Sequence, residues 1–172
     1  KFSVAETGEL VLNEQPTCIS RILSETIEVV SITPEARSKS IISNCDPEAD
    51  QMLIDSDHIR LSLTALTMNS VLHGGDNISI TTRLDSDRAV CIEVADDGDL
   101  DHVELAELYR PFVVGADLSK RGSRGGLGLG LPLTRKLVEM HGGKFEVVAA
   151  SNRTTACIRL PNWRIIEWEP HA

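Results

Sequence analysis

Gly126-Leu127-Gly128-Leu129-Gly130-Leu131, running into Pro132, is the stretch from which the rest of the chain is read. Of the 12 glycines in the sequence, five (Gly122, Gly125, Gly126, Gly128 and Gly130) fall within residues 122–130. Pro132 suits the first turn of a helix, where its missing N–H would be unpaired anyway. The apolar spacing that follows predicts a helix from Leu131 to His141, closed by Gly142-Gly143. A glycine-rich approach to a helix start leaves backbone N–H groups free at the positive end of the dipole, which makes an anion site. Residues 119–136 carry Lys120, Arg121, Arg124, Arg135 and Lys136 and no acid, in a chain of net charge −9. That segregation predicts a phosphate cradle with a glycine-rich lid that closes over its ligand. The G-x-x-x-x-G-K-[ST] pattern of a P-loop is absent, and no βαβ unit near the start of the chain supports a dinucleotide fingerprint.

The chain of 172 residues is long enough for one domain. Hydrophobic residues make up 41% and charged residues 25%, which is ordinary globular usage and excludes disorder. No apolar run reaches the roughly 20 residues of a membrane span, so the expectation is a soluble piece. The acidic balance argues against a nucleic-acid or anionic-membrane surface. Aromatic residues are only 3%, so the core is expected to be aliphatic. Cys18, Cys45, Cys91 and Cys157 lie far apart and form no C-x-x-C pair, which predicts buried reduced thiols rather than a zinc or disulfide framework. The sequence begins at Lys1 without a signal pattern, and we expect it to be part of something longer.

Alternation predicts strands at 10–14, 41–44, 52–54, 78–84, 89–95, 144–149 and 154–160. Helical spacing of Ile19, Ile22, Leu23, Ile27 and Val30 predicts a helix opened by Pro16-Thr17. A second helix is expected over 57–73, capped from Asp55 to Asp57, before a turn at Gly74-Gly75-Asp76-Asn77. Neighbouring strands joined by hairpins do not fit a doubly wound parallel sheet. The expected class is α+β: a two-layer α/β sandwich, its mixed, mostly antiparallel sheet covered on one face by about three helices.

Two further segments can meet the glycine-rich stretch. On the helix 57–73, Ile59, Leu63, Leu66 and Met68 or Val71 form a core stripe. A second stripe of Ser62, Ala65, Asn69 and His73 is small and polar, a pattern shared by a solvated helix face and by a helix that faces a ligand. The amide oxygen of Asn69 suits a hard cation such as Mg²⁺. After the strand 89–95 comes Asp96-Asp97-Gly98-Asp99. Taken alone this reads as an acidic turn; in a site, a carboxylate at a strand end can accept from a ligand amino group, and Gly98 lets the backbone come close. An EF-hand loop is excluded, because a frame starting at Asp97 puts His102 at the glycine position and Leu108 at the glutamate position.

In order and spacing these segments resemble the catalytic ATP-binding (HATPase_c) domain of bacterial sensor histidine kinases, in the GHKL or Bergerat-fold superfamily. Asn69-Ser70 resembles the N box and Asp96-Asp97-Gly98 the start of the G1 box. Leu108-Tyr109-Arg110-Pro111-Phe112 resembles the F box and Gly126 to Leu131 the G2 box. Leu137-Val138-Glu139-Met140-His141-Gly142-Gly143 and residues 154–161 continue as in that family, and Ala5 to Leu10 resembles the junction after its dimerisation helices. The likeness implies residues 1–9 as the end of a linker, 10–161 as the ATP-binding domain and 162–172 as a tail containing Trp163 and Trp168.

The resemblance implies ATP and Mg²⁺ as cofactors. Asp96 would read the adenine amino group, Asn69 would hold Mg²⁺, and Gly98, His73 and Thr154 or Thr155 would lie near the nucleotide. Gly126, Leu127, Gly128, Leu129, Gly130 and Leu131 would shape the phosphate loop, with Lys120, Arg121 or Arg124 reaching the terminal phosphates. The γ-phosphoryl group would pass to a histidine on a separate dimerisation domain, and through it to a response regulator. None of His58, His73, His102, His141 or His171 sits in an acceptor context, so no catalytic residue is expected in this piece. The piece is expected to be monomeric within a homodimeric, membrane-anchored or cytoplasmic whole, without nucleic-acid or direct membrane contact. Ala65, Leu72 and Leu100 replace residues usual in the family. Ala65 stands where the hydrolysing members carry a Glu base, which argues against a hydrolase. These replacements also leave an alternative: a degenerate domain that regulates a partner by contact.

Overall fold

The computed structural model describes residues 11–98 and 130–166. Among them the elements run β1 (Gln15–Cys18), α1 (Ile19–Ser31), β2 (Ser40–Asn44), β3 (Gln51–Ile54), α2 (Ser56–His73), β4 (Asn77–Leu84), β5 (Val90–Asp96), α3 (Gly130–Met140), β6 (Lys144–Ala150) and β7 (Arg153–Leu160). Single 3₁₀ turns lie at Pro34–Ala36, Pro47–Ala49 and Asn162–Arg164. The main sheet has five strands in the order β2-β4-β5-β7-β6. β2 pairs with β4 in parallel, and every other pair in it is antiparallel. β1 and β3 form a separate antiparallel pair.

Strand period sets the layers. Ile78 and Ile80 of β4, Ile92 and Val94 of β5, and Ile158 and Leu160 of β7, all even-numbered, are buried against the helices. From the helix side come Ile22 and Leu23 of α1, Ile59, Leu63 and Leu66 of α2, and Leu131 and Val138 of α3. α2 packs between α1 and α3 and against β4 and β5. The expected α+β sandwich is therefore observed, with an aliphatic core in which each fully buried Leu or Ile contributes about 1.5–3 kcal/mol. Among the described residues no helix is long and apolar enough to cross a membrane.

α2 starts where its cap allows: the Asp55 carboxylate accepts from His58 N at 3.0 Å. α3 ends at Met140, and the turn that closes it passes through Gly142, whose φ of +78° is left-handed backbone that favours glycine.

The chain departs from expectation at its beginning. Residues 11–14 are not a strand, and Pro16-Thr17 do not open a helix; they pair with Leu53 and Met52 of β3 instead. α1 begins at Ile19 because Asp50 caps it from outside, accepting Ile19 N on its carbonyl (2.7 Å) and Ser20 N on its carboxylate (2.8 Å). The cysteines are all free, as expected, but only Cys91 is fully buried; Cys18, Cys45 and Cys157 are half-buried. Ser62 and Ala65, on the same side of α2 as Asn69, do not line the cleft described below. Both are buried, and the Ser62 hydroxyl donates to His58 O at 2.8 Å within the helix. The beginning of the tail is tied into the fold: Ile165 bridges to Met52 and Arg164 is buried, while Trp163 is exposed. Trp168 lies outside the described residues.

Candidate nucleotide-binding site

A cleft opens at the C-terminal end of α2, between that helix, the inner face of the sheet and the start of α3. It encloses about 420 Å³, counting the part open to solvent. Leu66, Asn69, Ser70 and His73 line it from one face of α2, at the spacing of successive helical turns. Gly74 follows them; Val94 and Asp96 come from β5, Thr154 and Ala156 from β7, Val147 from β6 and Leu131 from α3. Apolar side chains make most of the wall, and a few polar groups converge on it, as in small-molecule sites generally.

Asp96 ends β5 on the inward face, 6% exposed, with Ile78 and Thr154 as its cross-strand neighbours. Its Oδ1 accepts from Gly98 N at 2.8 Å. Among the described residues it forms no ion pair, so it is a buried carboxylate with acceptor capacity directed to the cleft. Thr154 Oγ1 donates to Gly98 O at 3.5 Å and closes the floor beside it.

Asn69 Nδ2 is buried and has no hydrogen-bond partner among the described residues. Buried side-chain amides are nearly always paired, so an unpaired one in a cleft wall fits a group whose partner is a ligand.

The rim beside Asp96 is a backbone interlock. A Cβ on Gly74 would stand 2.5 Å from Asp96 Cγ, and one on Gly98 would stand 2.6 Å from Gly74 Cα. Behind it, the Asn77 side-chain amide and backbone N–H both donate to Asp97 and hold its carboxyl below the usual range, against a weaker opposing effect of burial.

Asn69, His73, Asp96, Leu131 and Thr154 thus line one cleft, with Gly98 bonded to two of them and Gly130 opening α3 beside it. Thr155 is not brought in; it pairs with Ala95, and strand alternation turns it to the opposite face of the sheet. Lys120, Arg121, Arg124, Gly126, Leu127, Gly128 and Leu129 lie outside the described residues. Sequence reasoning missed Leu66, Ser70, Gly74, Val94, Val147 and Ala156. Val94 and Ala156 carry a period-two signal, each standing two residues from a chosen position.

The family described as "Histidine kinase-, DNA gyrase B-, and HSP90-like ATPase" matches residues 54–164. The chain belongs to this family, as a HATPase_c domain of the sensor histidine kinase type within the GHKL superfamily. It is 30% identical over 174 residues to the circadian input-output histidine kinase CikA of Synechococcus elongatus, covering 96% of this chain and 22% of that protein. It is 26% identical over 166 residues to the sensor protein TorS of Escherichia coli, covering 93% of this chain and 18% of that one. The chain therefore spans about a fifth of the length of these relatives. Among solved structures, the catalytic domain of histidine kinase ThkA superposes with a TM-score of 0.70 at 21% identity, covering 87% of this chain and 96% of that one. Full-length ShkA in complex with AMPPNP gives a TM-score of 0.64 at 24% identity, covering 86% of this chain and 30% of that one. Both likenesses bear on the fold.

Proposed function

We propose that this chain is the cytoplasmic ATP-binding catalytic domain of a two-component sensor histidine kinase. It holds Mg·ATP so that the γ-phosphoryl group passes to a histidine on a separate dimerisation domain, from which a response regulator takes it. The observation that carries the reading is the convergence of Asn69 and Asp96, from distant parts of the sequence, on one cleft.

The residues fit the ligand. The Asp96 carboxylate is an acceptor suited to an exocyclic amino group, and the apolar wall of Leu66, Val94, Val147 and Ala156 suits the faces of a purine. The Asn69 amide, whose Nδ2 has no partner among the described residues, lies on α2, and Gly130 and Leu131 begin α3, whose N-terminal dipole favours phosphate. Bound Mg²⁺ would supply charge neutralisation on the phosphates, with the Asn69 amide oxygen as its protein ligand. Phosphoryl transfer asks the protein chiefly for position and charge complementarity, and no covalent intermediate on this chain is needed. Ala65, one turn before Asn69, is buried and offers no carboxylate to activate water, which favours transfer over hydrolysis.

Incubation with γ-labelled ATP and the histidine-bearing segment of the same protein is the test. Label on that segment is expected. Binding of a nonhydrolysable ATP analogue without any transfer would support a contact regulator instead, and absence of binding would overturn the nucleotide reading.

A further inference from the structure

The turn 74–77, between α2 and β4, is held from two sides by residues that do not line the cleft. From the β5 side, Asp97 Oδ1 accepts from Asn77 N at 3.1 Å and Oδ2 accepts from Asn77 Nδ2 at 2.7 Å. The Asp97 N–H returns a bond to Asn77 O at 3.3 Å. From the β2 side, Lys39 Nζ donates to Gly75 O at 2.9 Å and reaches Asp76 Oδ1 at 3.2 Å, while Ser40 N donates to Asp76 O at 2.8 Å. The Lys39 side chain is only 15% exposed, so its stem is packed and its ammonium is committed to this turn. Gly75, Asp76 and Asn77 are each tied to a neighbouring strand end.

We propose that Lys39 and Asp97 are positioning residues for the purine site: together they clasp the 74–77 turn and hold Gly74 against the Asp96 carboxylate. This rests on Asp96 as the group that reads the base. Gly74 lies so close that a Cβ there would fall 2.5 Å from Asp96 Cγ and 2.6 Å from Oδ2. Gly98 N holds Oδ1 at 2.8 Å on the other side. The carboxylate is thus held between two backbone segments, and the plane of its oxygens fixes the direction from which a donor can be accepted. Gly75 is pressed on the Asp97 carboxylate, so the clasp and the brace are one packed unit. Releasing either clasp residue lets Gly74 recede and frees Asp96 to turn. A carboxylate that must be ordered on binding recognises the base less well than one already aimed.

The test uses the full chain and calorimetric titration with a nonhydrolysable ATP analogue, the corresponding GTP analogue and inorganic triphosphate, in the presence of Mg²⁺. Asp97→Ala and Lys39→Met are each expected to weaken the ATP analogue by about ten-fold, the scale of one hydrogen bond to a charged group, and to leave triphosphate binding within about two-fold. The preference for adenine over guanine falls accordingly. Gly74→Ala forces a Cβ onto Asp96 and should give the same selective loss, so the prediction survives if either clasp variant folds poorly. An unchanged adenine preference in folded Asp97→Ala and Lys39→Met overturns the proposal. So does an equal loss for triphosphate and ATP, which marks a merely structural role. A wild-type chain that binds triphosphate without preferring adenine overturns the base-reading role of Asp96, and the clasp with it.

Discussion

Arg164 Nη1 donates to Glu14 Oε2 at 2.9 Å, although 150 residues separate them. The guanidinium is 3% exposed and also donates to His141 O at 2.7 Å and Leu53 O at 2.8 Å. One side chain thereby joins the segment before β1, the end of β3 and the end of α3. Removing it leaves a half-buried carboxylate and two carbonyls without their donor. Arg164→Ala is expected to cost about 2–4 kcal/mol of stability, chiefly for the His141 and Leu53 carbonyls that lose their donor. Urea unfolding measures this, and a midpoint matching the wild type would refute the anchoring role.

Close by, His141 Nε2 accepts from Asp55 N at 3.1 Å, and its Nδ1 lies 2.8 Å from Leu137 O. Burial pushes its pKa below the ordinary 6.5; the Leu137 carbonyl opposes this, Arg164 and His58 add to it, and Asp55 opposes it. The unfolded chain therefore takes up a proton near the ordinary value, while the folded chain waits for a more acidic solution. In that window the unfolded state binds more protons, so stability falls as pH falls, and above the window His141 adds no slope. The urea midpoint should drop between about pH 7.5 and 5.5, and His141→Gln should flatten that drop. A midpoint that rises on acidification would contradict the assignment.

Burial pushes the Cys45 thiol up to about 11 and the Cys157 thiol up to about 12. Because the thiolate is the nucleophile, both should resist iodoacetamide near neutral pH in the native protein and react once it is unfolded. Peptide mass spectrometry after timed labelling gives the rates. Native labelling of either residue as fast as in the unfolded chain would exclude the half-buried thiols seen here.

In the cleft, Asn69→Ala should remove the Mg²⁺ dependence of ATP-analogue binding without unfolding the chain. Asp96→Asn presents a donor where an acceptor is needed and should weaken the ATP analogue by about 1.5–3 kcal/mol, more than it weakens a guanine nucleotide. Titrations with and without Mg²⁺ separate the two roles. An Asn69→Ala variant that keeps its full Mg²⁺ response would remove that residue from the metal site.

Where the sequence shows a strong period, the fold follows it. The stripe Ile59, Leu63 and Leu66 and the alternation through β4, β5 and β7 gave those elements to within a residue or two. β1 was illegible because Gln-Pro-Thr-Cys has no alternation; it is a strand only through pairing with β3, and Pro16 is tolerated in so short a ribbon. The start of α1 was equally hidden, since its cap comes from Asp50, far along the chain. Asn69 and Asp96 were readable from their motifs. The choice of Thr154 over Thr155 needed the register with Asp96. The glycines at 74 and 75 read as a plain turn, because their close contacts arise only once α2 and β5 are docked. The cysteines, remote in sequence, meet in space: Cys18 and Cys45 both donate to Asp50 Oδ1, at 3.4 and 3.7 Å.

The parallel pairing of β2 with β4 also links the sheet margin to α2. Parallel neighbours cannot be joined by a tight hairpin, so the chain between them must cross over, and that crossover contains β3 and α2. The outermost strand is thus tied to the sheet through the helix bearing Asn69. Loop-closure entropy falls on this pairing, and β2 becomes the readily opened margin of the sheet. A ligand that pins α2 should slow amide exchange along β2, a strand it never touches.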